Sequence, residues 1–551
     1  MAIHSNSNTI KTKIITIFTF GFCLLFSVLP VIRSGLKYDF GIGFWGPTAH
    51  DFLWHLSLIN HIKNPFSIPF PSFSGELLTN YHPFFNILLA LIPFDHSFLL
   101  FQVFPLISSL VILILVYKIS YQFYQKHTVS LLTIFFYTFS NSLGWIYTYL
   151  TQRKIAGESL FWSMQSLSSQ INPPFILSQI FILLIIYLLQ TKPKSIIIPL
   201  LLIFLPITKV YGAITGYALV FFYWFFNYQE ITKKIILNYF ISFLLAILLF
   251  FKFNASSSSL LIFNPFWFIF GMFSSTDKLY IPKVASFLFN TSLSDPRKIF
   301  ILFIGIIIFY LGNFSFRLLA FKYLSKFNKI QKIIFLVTII SALIPLFFIQ
   351  KSTAWNTIQF LYYPLALSNL LFSSYIFHQL NNRLYLSVFL ILYFSFISNL
   401  DLIKGSLGSP PPSAILSSEY QAIQFLNSQS PGIILTYPYD PHLLKNQKTP
   451  IPLYAYETTS YLPAYTHHLT YLSDEMNAGN SNKNWQQRRN DSLKFFDQKS
   501  IYEDRGFLVN NQIDYIYLVD QQVNKTSLKI SDMSLSKIYD NSYVQIYKVN
   551  R

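Results

Sequence analysis

The stretch Leu384-Tyr385-Leu386-Ser387-Val388-Phe389-Leu390-Ile391-Leu392-Tyr393-Phe394-Ser395-Phe396-Ile397-Ser398-Asn399-Leu400, followed by Asp401-Leu402-Ile403-Lys404-Gly405-Ser406-Leu407-Gly408-Ser409-Pro410-Pro411-Pro412, decides the fold. Its first part is uncharged and apolar enough for a helix that crosses the hydrocarbon core, which needs roughly 20 such residues. Its second part stacks Gly and Pro, which stop a helix and mark a boundary. The chain differs on the two sides. Residues 1–403 hold nine acids against 26 Lys and Arg, whereas 404–551 hold 13 acids against 14 bases. The pattern predicts a membrane domain over 1–403, a linker over 404–412 and a soluble α/β domain over 413–551.

Composition agrees. Only 11% of the 551 residues are charged, and 60 are Phe and 36 Tyr, whereas soluble proteins carry about 25% charged residues. This excludes a cytosolic enzyme, a disordered chain and a fibrous protein. The single cysteine, Cys23, excludes intramolecular disulfides and multi-cysteine metal or redox centres, and its apolar surroundings read as a buried thiol.

Further apolar stretches lie near 14–32, 97–117, 128–149, 173–190, 195–209, 211–228, 235–253, 299–316, 333–349 and 357–376, eleven with 384–400. Lys11 and Lys13 precede the first stretch, and basic residues then follow alternate stretches: Lys118 and Lys126, Lys192 and Lys194, Lys233 and Lys234, then Arg317, Lys322, Lys326, Lys329 and Lys332. The positive-inside rule makes that side cytoplasmic. The expected protein is integral to the plasma membrane, its N-terminus cytoplasmic and its C-terminal domain extracytoplasmic. Loop 33–96, loop 150–172, loop 254–298 and the short loop 350–356 then face outward, with seven of the nine membrane-domain acids among them. The +18 net charge reads as cytoplasmic anchoring, not a nucleic-acid footprint.

The first outer loop contains Gly46-Pro47-Thr48-Ala49-His50-Asp51-Phe52-Leu53-Trp54-His55-Leu56-Ser57-Leu58-Ile59-Asn60-His61-Ile62. Its apolar spacing predicts a short amphipathic helix lying in the membrane interface. Asp51 opens that helix, where a carboxylate either caps free N–H groups or does chemistry. Asn80-Tyr81-His82-Pro83-Phe84-Phe85 begins a second apolar segment, too short to span.

This arrangement resembles the GT-C superfamily of integral-membrane glycosyltransferases, which includes oligosaccharyltransferase catalytic subunits, protein O-mannosyltransferases and aminoarabinose transferases. The resemblance rests on one span, a large outer loop with two short helices, Asp51-x-x-Trp54-His55, and Tyr81-His82-Pro83. His82 stands where many members have the first Pro of a Tyr-Pro-Pro element. The motifs cover loop 33–96, and the many-span topology extends the likeness over the membrane domain. The resemblance implies a lipid-linked sugar donor used on the outer face, with Asp51 as the catalytic or acceptor-positioning acid. The tail lacks the Trp-Trp-Asp element of oligosaccharyltransferases, which argues against Asn-linked transfer.

Transfer from a polyprenyl-phosphate sugar needs a base for the acceptor, cations for the departing phosphate and a greasy groove for the tail. Asp51 is the first candidate base, with Asp39 and Glu158 in reserve. Candidate substrate-binding residues are His55, Tyr81, His82, Lys209, Lys351, Trp355 and Gln359. A Lys at a span end either binds substrate or snorkels to head groups. No cofactor and no essential metal are expected, although Asp39, Asp51 and Glu158 could converge on a divalent ion. The partners expected are the bilayer, a polyprenyl-phosphate sugar and a glycan, lipid or protein acceptor, with no nucleic acid. The alternatives are a flippase or transporter of lipid-linked sugars and a non-catalytic membrane scaffold.

In the tail, 418–426 and 484–496 read as helices, and 433–437, 514–519 and 543–547 as strands. The aromatic stretch Tyr454–Tyr471, with Glu457 and His467, reads either as acceptor-glycan surface or as core and loop. Arg488-Arg489 reads as a solvated helix face.

Overall fold

The computed structural model describes residues 2–254, 261–292, 294–350, 354–481, 483–497, 501–526 and 535–550, with backbone alone at 2–9, 11, 354, 355, 446 and 501–504. The chain is mainly helical and polytopic, with a C-terminal sheet-containing region. Among the described residues, eight helices are long and apolar enough to cross a membrane. A ninth span forms if the pair His127–Phe139 and Gly144–Gln152, bent by 53°, counts as one. The helices Ile197–Thr208 and Val210–Phe226 are apolar but shorter. Together these coincide with the eleven expected stretches.

Two compact units result. One comprises residues 1–30, 105–252 and 257–405; the other comprises 31–104, 253–256 and 406–551. The first outer loop, which the sequence reading keeps with the membrane domain, thus shares a unit with the tail.

The helical unit has a polar centre inside its apolar packing. Arg317 is fully buried. Its guanidinium donates to Asn369 Oδ1 at 2.7 Å, the Asn313 carbonyl at 2.9 Å, and Ser140 through both its carbonyl (3.2 Å) and its Oγ (2.9 Å). The charge-count reading treats Arg317 as a cytoplasmic loop cation, and the structure corrects this. A guanidinium spreads its charge over a planar fork, so four neutral acceptors can satisfy it where a hydrated ammonium would not fit. Asn313 and Asn369 join that fork to Gln165 and Ser166.

The loop-and-tail unit is built on two sheets. In the smaller, Lys37–Tyr38, Gly41–Phe44, Ser413–Leu416 and Ile451–Pro452 lie side by side, so a hairpin of the first loop pairs with tail strands. Gly41 makes this pairing possible. Its φ is +128°, and a Cβ there would sit 2.0 Å from the Ile415 carbonyl oxygen. In the larger sheet the order is Leu535–Asp540, Val544–Val549, Ile513–Val519, Ile433–Thr436, Leu469–Thr470. The first three strands run antiparallel, and the last three are parallel to one another.

The helix Asp51–His61 does not lie as an amphipathic helix in an interface. Phe52 through Ile59 are all buried, polar His55 and Ser57 included. The tail helix Tyr461–Tyr465 packs on it, and Asn60 donates to the Ala464 carbonyl at 2.7 Å. The side expected to face lipid therefore faces protein. The second helix, Phe84–Ala90, keeps an exposed apolar edge at Leu88 that continues through Leu91, Ile92 and Phe94.

The Arg488-Arg489 pair is also corrected. Arg488 lies 3.7 Å from the centre of the Phe73 ring and donates to the carbonyls of Tyr471 (2.7 Å) and Ser74 (2.9 Å). It is a clamp between tail and loop.

Two substitutions test these supports. Arg317→Lys should destabilise the protein by roughly 3 kcal/mol, because a point charge cannot fill the fork and leaves buried acceptors unmet. Gly41→Ala should cost roughly 2 kcal/mol or more through backbone strain and the lost approach to Ile415. Thermal unfolding of the purified protein reads both; an unchanged midpoint would contradict the assigned role.

Candidate functional site

The site grows from the entry to the helix Asp51–His61. The turn Gly46–Ala49 delivers His50 and Asp51 at its end. The helix buries one apolar residue after another and fixes what stands at its start. Asp51 and Asn60 are the exceptions to that burial, and 49% of the Asp51 side chain is exposed. Its Oδ1 accepts from His50 Nδ1 at 3.0 Å. No other hydrogen bond to its carboxylate occurs among the described residues, so it does not cap the helix.

His50 is nearly buried, and its other nitrogen, Nε2, lies 3.5 Å from Asp474 Oδ1. Asp474 is wholly buried and accepts from Ser460 Oγ at 2.8 Å and from the Asn477 N–H at 2.9 Å and Nδ2 at 2.8 Å. Burial disfavours charge on both partners. For His50, the carboxylates of Asp474 and Asp51 outweigh burial and raise its pKa well above the imidazole range. For Asp474, burial is opposed by His50 and the Asn477 donors, and its pKa ends below the usual carboxylate range. The outcome is an imidazolium between two carboxylates, one buried and one open to solvent. Glu457 lies within electrostatic reach of all three; burial pushes its carboxyl up to about 6 against the pull of His50.

His55, one turn on, is buried. The Asn86 amide donates to its Nδ1 at 3.0 Å and to its carbonyl at 3.2 Å, and the Tyr81 hydroxyl lies 3.3 Å from the same Nδ1. With Nδ1 accepting, the ring proton belongs on Nε2. Tyr81 meets Trp54 edge-on and His82 face-on. Thus Asp51, His55, Tyr81 and His82 all belong to the loop-and-tail unit. Asp39 belongs there too, but it occupies the exposed hairpin turn, and its carboxylate has no bond among the described residues.

The remaining candidates belong to the helical unit. Glu158 accepts from the Gln165 N–H at 2.7 Å and from Ser168 Oγ, which ties its own loop together, and burial raises its carboxyl above the usual range. Lys209 stands at the break between Ile197–Thr208 and Val210–Phe226, its Nζ 5.9 Å from the Tyr211 ring centre. Gln359 accompanies Asn356 at 3.2 Å. Lys351 and the Trp355 side chain lie outside the described residues. Among the described residues no three His, Cys, Asp or Glu side chains are arranged to hold a metal. A large apolar groove lined by Phe221, Trp224, Phe225, Tyr239 and Phe240 carries no ionisable group other than Tyr phenols.

Sequence reasoning finds Asp51 but not its partners. His50 reads as a flanking residue, and Asp474 is hidden in the tail. The one available signal is Asp474-Glu475-Met476-Asn477, an acid that caps a short helix beside a second acid.

No family model and no curated protein matches the chain. Among solved structures it is similar to the archaeal oligosaccharyltransferase AglB from Archaeoglobus fulgidus in complex with an inhibitory peptide and a dolichol-phosphate. The identity is 10% and the TM-score 0.45, over 92% of this chain and 69% of that one. A structure of the Archaeoglobus fulgidus oligosaccharyltransferase with Zn and sulfate gives 12% and 0.40, over 91% and 68%. ArnT from Cupriavidus metallidurans bound to undecaprenyl phosphate gives 11% and 0.41, over 96% and 97%. Likeness at this level assigns no residue a role.

The charge on His50 has a pH signature. Its pKa is higher folded than unfolded, so its stabilisation is complete below about 6.5, the ordinary imidazole value, and is lost as pH rises through the folded value. Relative to His50→Gln, the wild type should therefore lose its thermal advantage as pH climbs above neutrality. A constant difference across that window would show that the ring is not charged in the fold.

Proposed function

We propose that the chain is a membrane glycosyltransferase of GT-C type. It moves a sugar, with inversion, from a polyprenyl-phosphate carrier to a cell-envelope glycan, lipid or protein acceptor, with Asp51 as base. The N-terminus is cytoplasmic, and the loop-and-tail unit faces outward. The observation that carries this reading is the state of Asp51. It is an exposed carboxylate at the head of a buried helix, with one oxygen held by a buried imidazolium and the other without a hydrogen bond among the described residues.

That geometry suits a base. The acceptor O–H approaches Oδ2, and its proton passes there as the acceptor oxygen attacks the anomeric carbon. The bond from that carbon to the phosphate oxygen breaks, and the electron pair leaves with the phosphate, which needs no general acid. His50 holds Oδ1 and so limits rotation of the carboxylate, and Asp474 holds His50. His55, fixed by Asn86 and Tyr81, supports the helix from its next turn.

The phosphate requires cations. Among the described residues, the cation that pairs with Asp51, His50, is already shared by two carboxylates. Lys209 and Lys351 are the residues we assign to the phosphate, with Trp355 and Gln359 beside the donor sugar; His82 and Tyr81 serve the acceptor side. A divalent ion would act on the same phosphate charge, but no step here is routed through one.

The test is transfer by the purified full-length protein in lipid, with labelled polyprenyl-phosphate sugars as donors and membrane extract as acceptor. Asp51→Asn preserves shape and removes the base, and should lower turnover by about 100-fold or more in a protein that still folds. Full turnover in that variant would remove Asp51 from the chemistry.

A further inference from the structure

The apolar groove of the helical unit lies between the helices Val210–Phe226 and Lys233–Phe253. Its volume is about 940 Å³, near the upper end of the roughly 300–1,000 Å³ of small-molecule sites. At one end the two helices meet. The Tyr217 ring lies 5.7 Å from that of Phe243, edge to face, and its hydroxyl lies 3.4 Å from Ser242 Oγ. Phe221, Phe225 and Phe240 flank the groove, each more than half exposed. Rings so bare on apolar helices face hydrocarbon.

The depth of the groove is one leaflet. Its lining starts at Tyr217 and follows the first helix to its end at Phe226. At 1.5 Å per residue that run is about 14 Å, close to half of a hydrocarbon core roughly 30 Å thick.

The other end, where the loop 227–232 turns, is basic. Lys233 and Lys234 are exposed at the start of the second helix, next to Ile235 and Ile236 of the lining. Lys329 donates to Asn227 Oδ1, beside Tyr228 of the lining. Lys194 lies 3.9 Å from Glu230, the only acid in residues 192–234. Four lysines stand against one carboxylate, so the surplus is positive.

These features together select an occupant. A groove one leaflet deep, whose lining carries no charge, accepts a hydrocarbon chain. Lysines at its mouth attract a phosphate at head-group level. Trp224 and Tyr228 suit that same level, where amphipathic rings collect.

We propose that the groove binds an anionic phospholipid of the leaflet at its basic end, with an acyl chain in the groove and the phosphate on Lys233 and Lys234. The assignment does not depend on the transferase reading. Under the orientation proposed above that leaflet is the cytoplasmic one, so the lipid is distinct from a sugar donor used on the outer face.

The probes are dioleoylphosphatidylglycerol, dioleoylphosphatidylcholine and undecaprenyl phosphate. Each is added to delipidated full-length protein in detergent, and bound lipid is counted by native mass spectrometry. We expect phosphatidylglycerol to bind about tenfold or more tightly than phosphatidylcholine. Replacing both lysines, Lys233→Gln with Lys234→Gln, should weaken phosphatidylglycerol by about 30-fold, the loss of two cations near a head group. Lys233→Arg with Lys234→Arg should retain it. Ile236→Trp, which narrows the groove and leaves the lysines, should weaken both phospholipids. Unchanged thermal midpoints without added lipid would show that the variants fold. Equal binding of the two phospholipids, or phosphatidylglycerol binding untouched by loss of both lysines, overturns the proposal. Displacement of phosphatidylglycerol by an equal amount of undecaprenyl phosphate also overturns it, and assigns the groove to the carrier lipid.

Discussion

A charged imidazole in a nearly dry pocket persists only if carboxylates surround it, and His50 is the point at which this protein meets that condition. Desolvation of an ion pair costs several kcal/mol per ion, and breaking such a pair by removing one partner is strongly destabilising. The pair His50–Asp474 therefore acts as a constraint more than as a source of stability. It requires the first loop and the tail to be assembled before the ring can hold its proton. Once they are, the opposite nitrogen fixes one oxygen of Asp51 at 3.0 Å. Orientation of the carboxylate, docking of the tail and the local charge are thus set by one side chain.

The other loop–tail contacts share the load that this constraint implies. Arg488 reaches the Ser74 carbonyl, Lys483 pairs with Glu76 at 2.9 Å, and Arg33 reaches the Ser406 carbonyl at 2.8 Å while lying over Trp45. Most of them end on backbone carbonyls, which no side-chain pattern encodes. They hold backbone segments in register, as the hairpin around Gly41 does, and so keep the entry of the helix Asp51–His61 rigid.

This explains what the sequence could and could not reveal. The tail helices and strands that follow a local period are read almost to the residue: 418–426 against Ser417–Asn427, and 514–519 against Ile513–Val519. The strand Leu535–Asp540 is missed because Ser536 and Lys537 stand side by side between its apolar residues and break the period of two. The helix Asp51–His61 is located correctly but given the wrong surroundings. Its polar positions, His55 and Ser57, look solvent-facing until Asn86 and the Trp54 carbonyl are known to receive them. Arg317 fails for the same reason: a lone cation after an apolar run reads as a loop charge, and nothing local announces Asn369 or Ser140. For His55 and Arg317 the deciding partners, Asn86 for the first and Asn369 and Ser140 for the second, are distant in sequence.

Charge sign provides the last step. A site that holds Asp51, Asp474 and Glu457 around a single imidazolium favours neutral or cationic groups and disfavours a phosphate. A transferase must nevertheless stabilise a phosphate as it leaves. The two demands conflict if one patch has to meet both, because cations placed among these carboxylates would be neutralised by them. Under the proposed reading, the phosphate must therefore meet its cations outside this cluster. His50 offsets the charge of buried Asp474 and leaves the second oxygen of Asp51 without a hydrogen bond among the described residues.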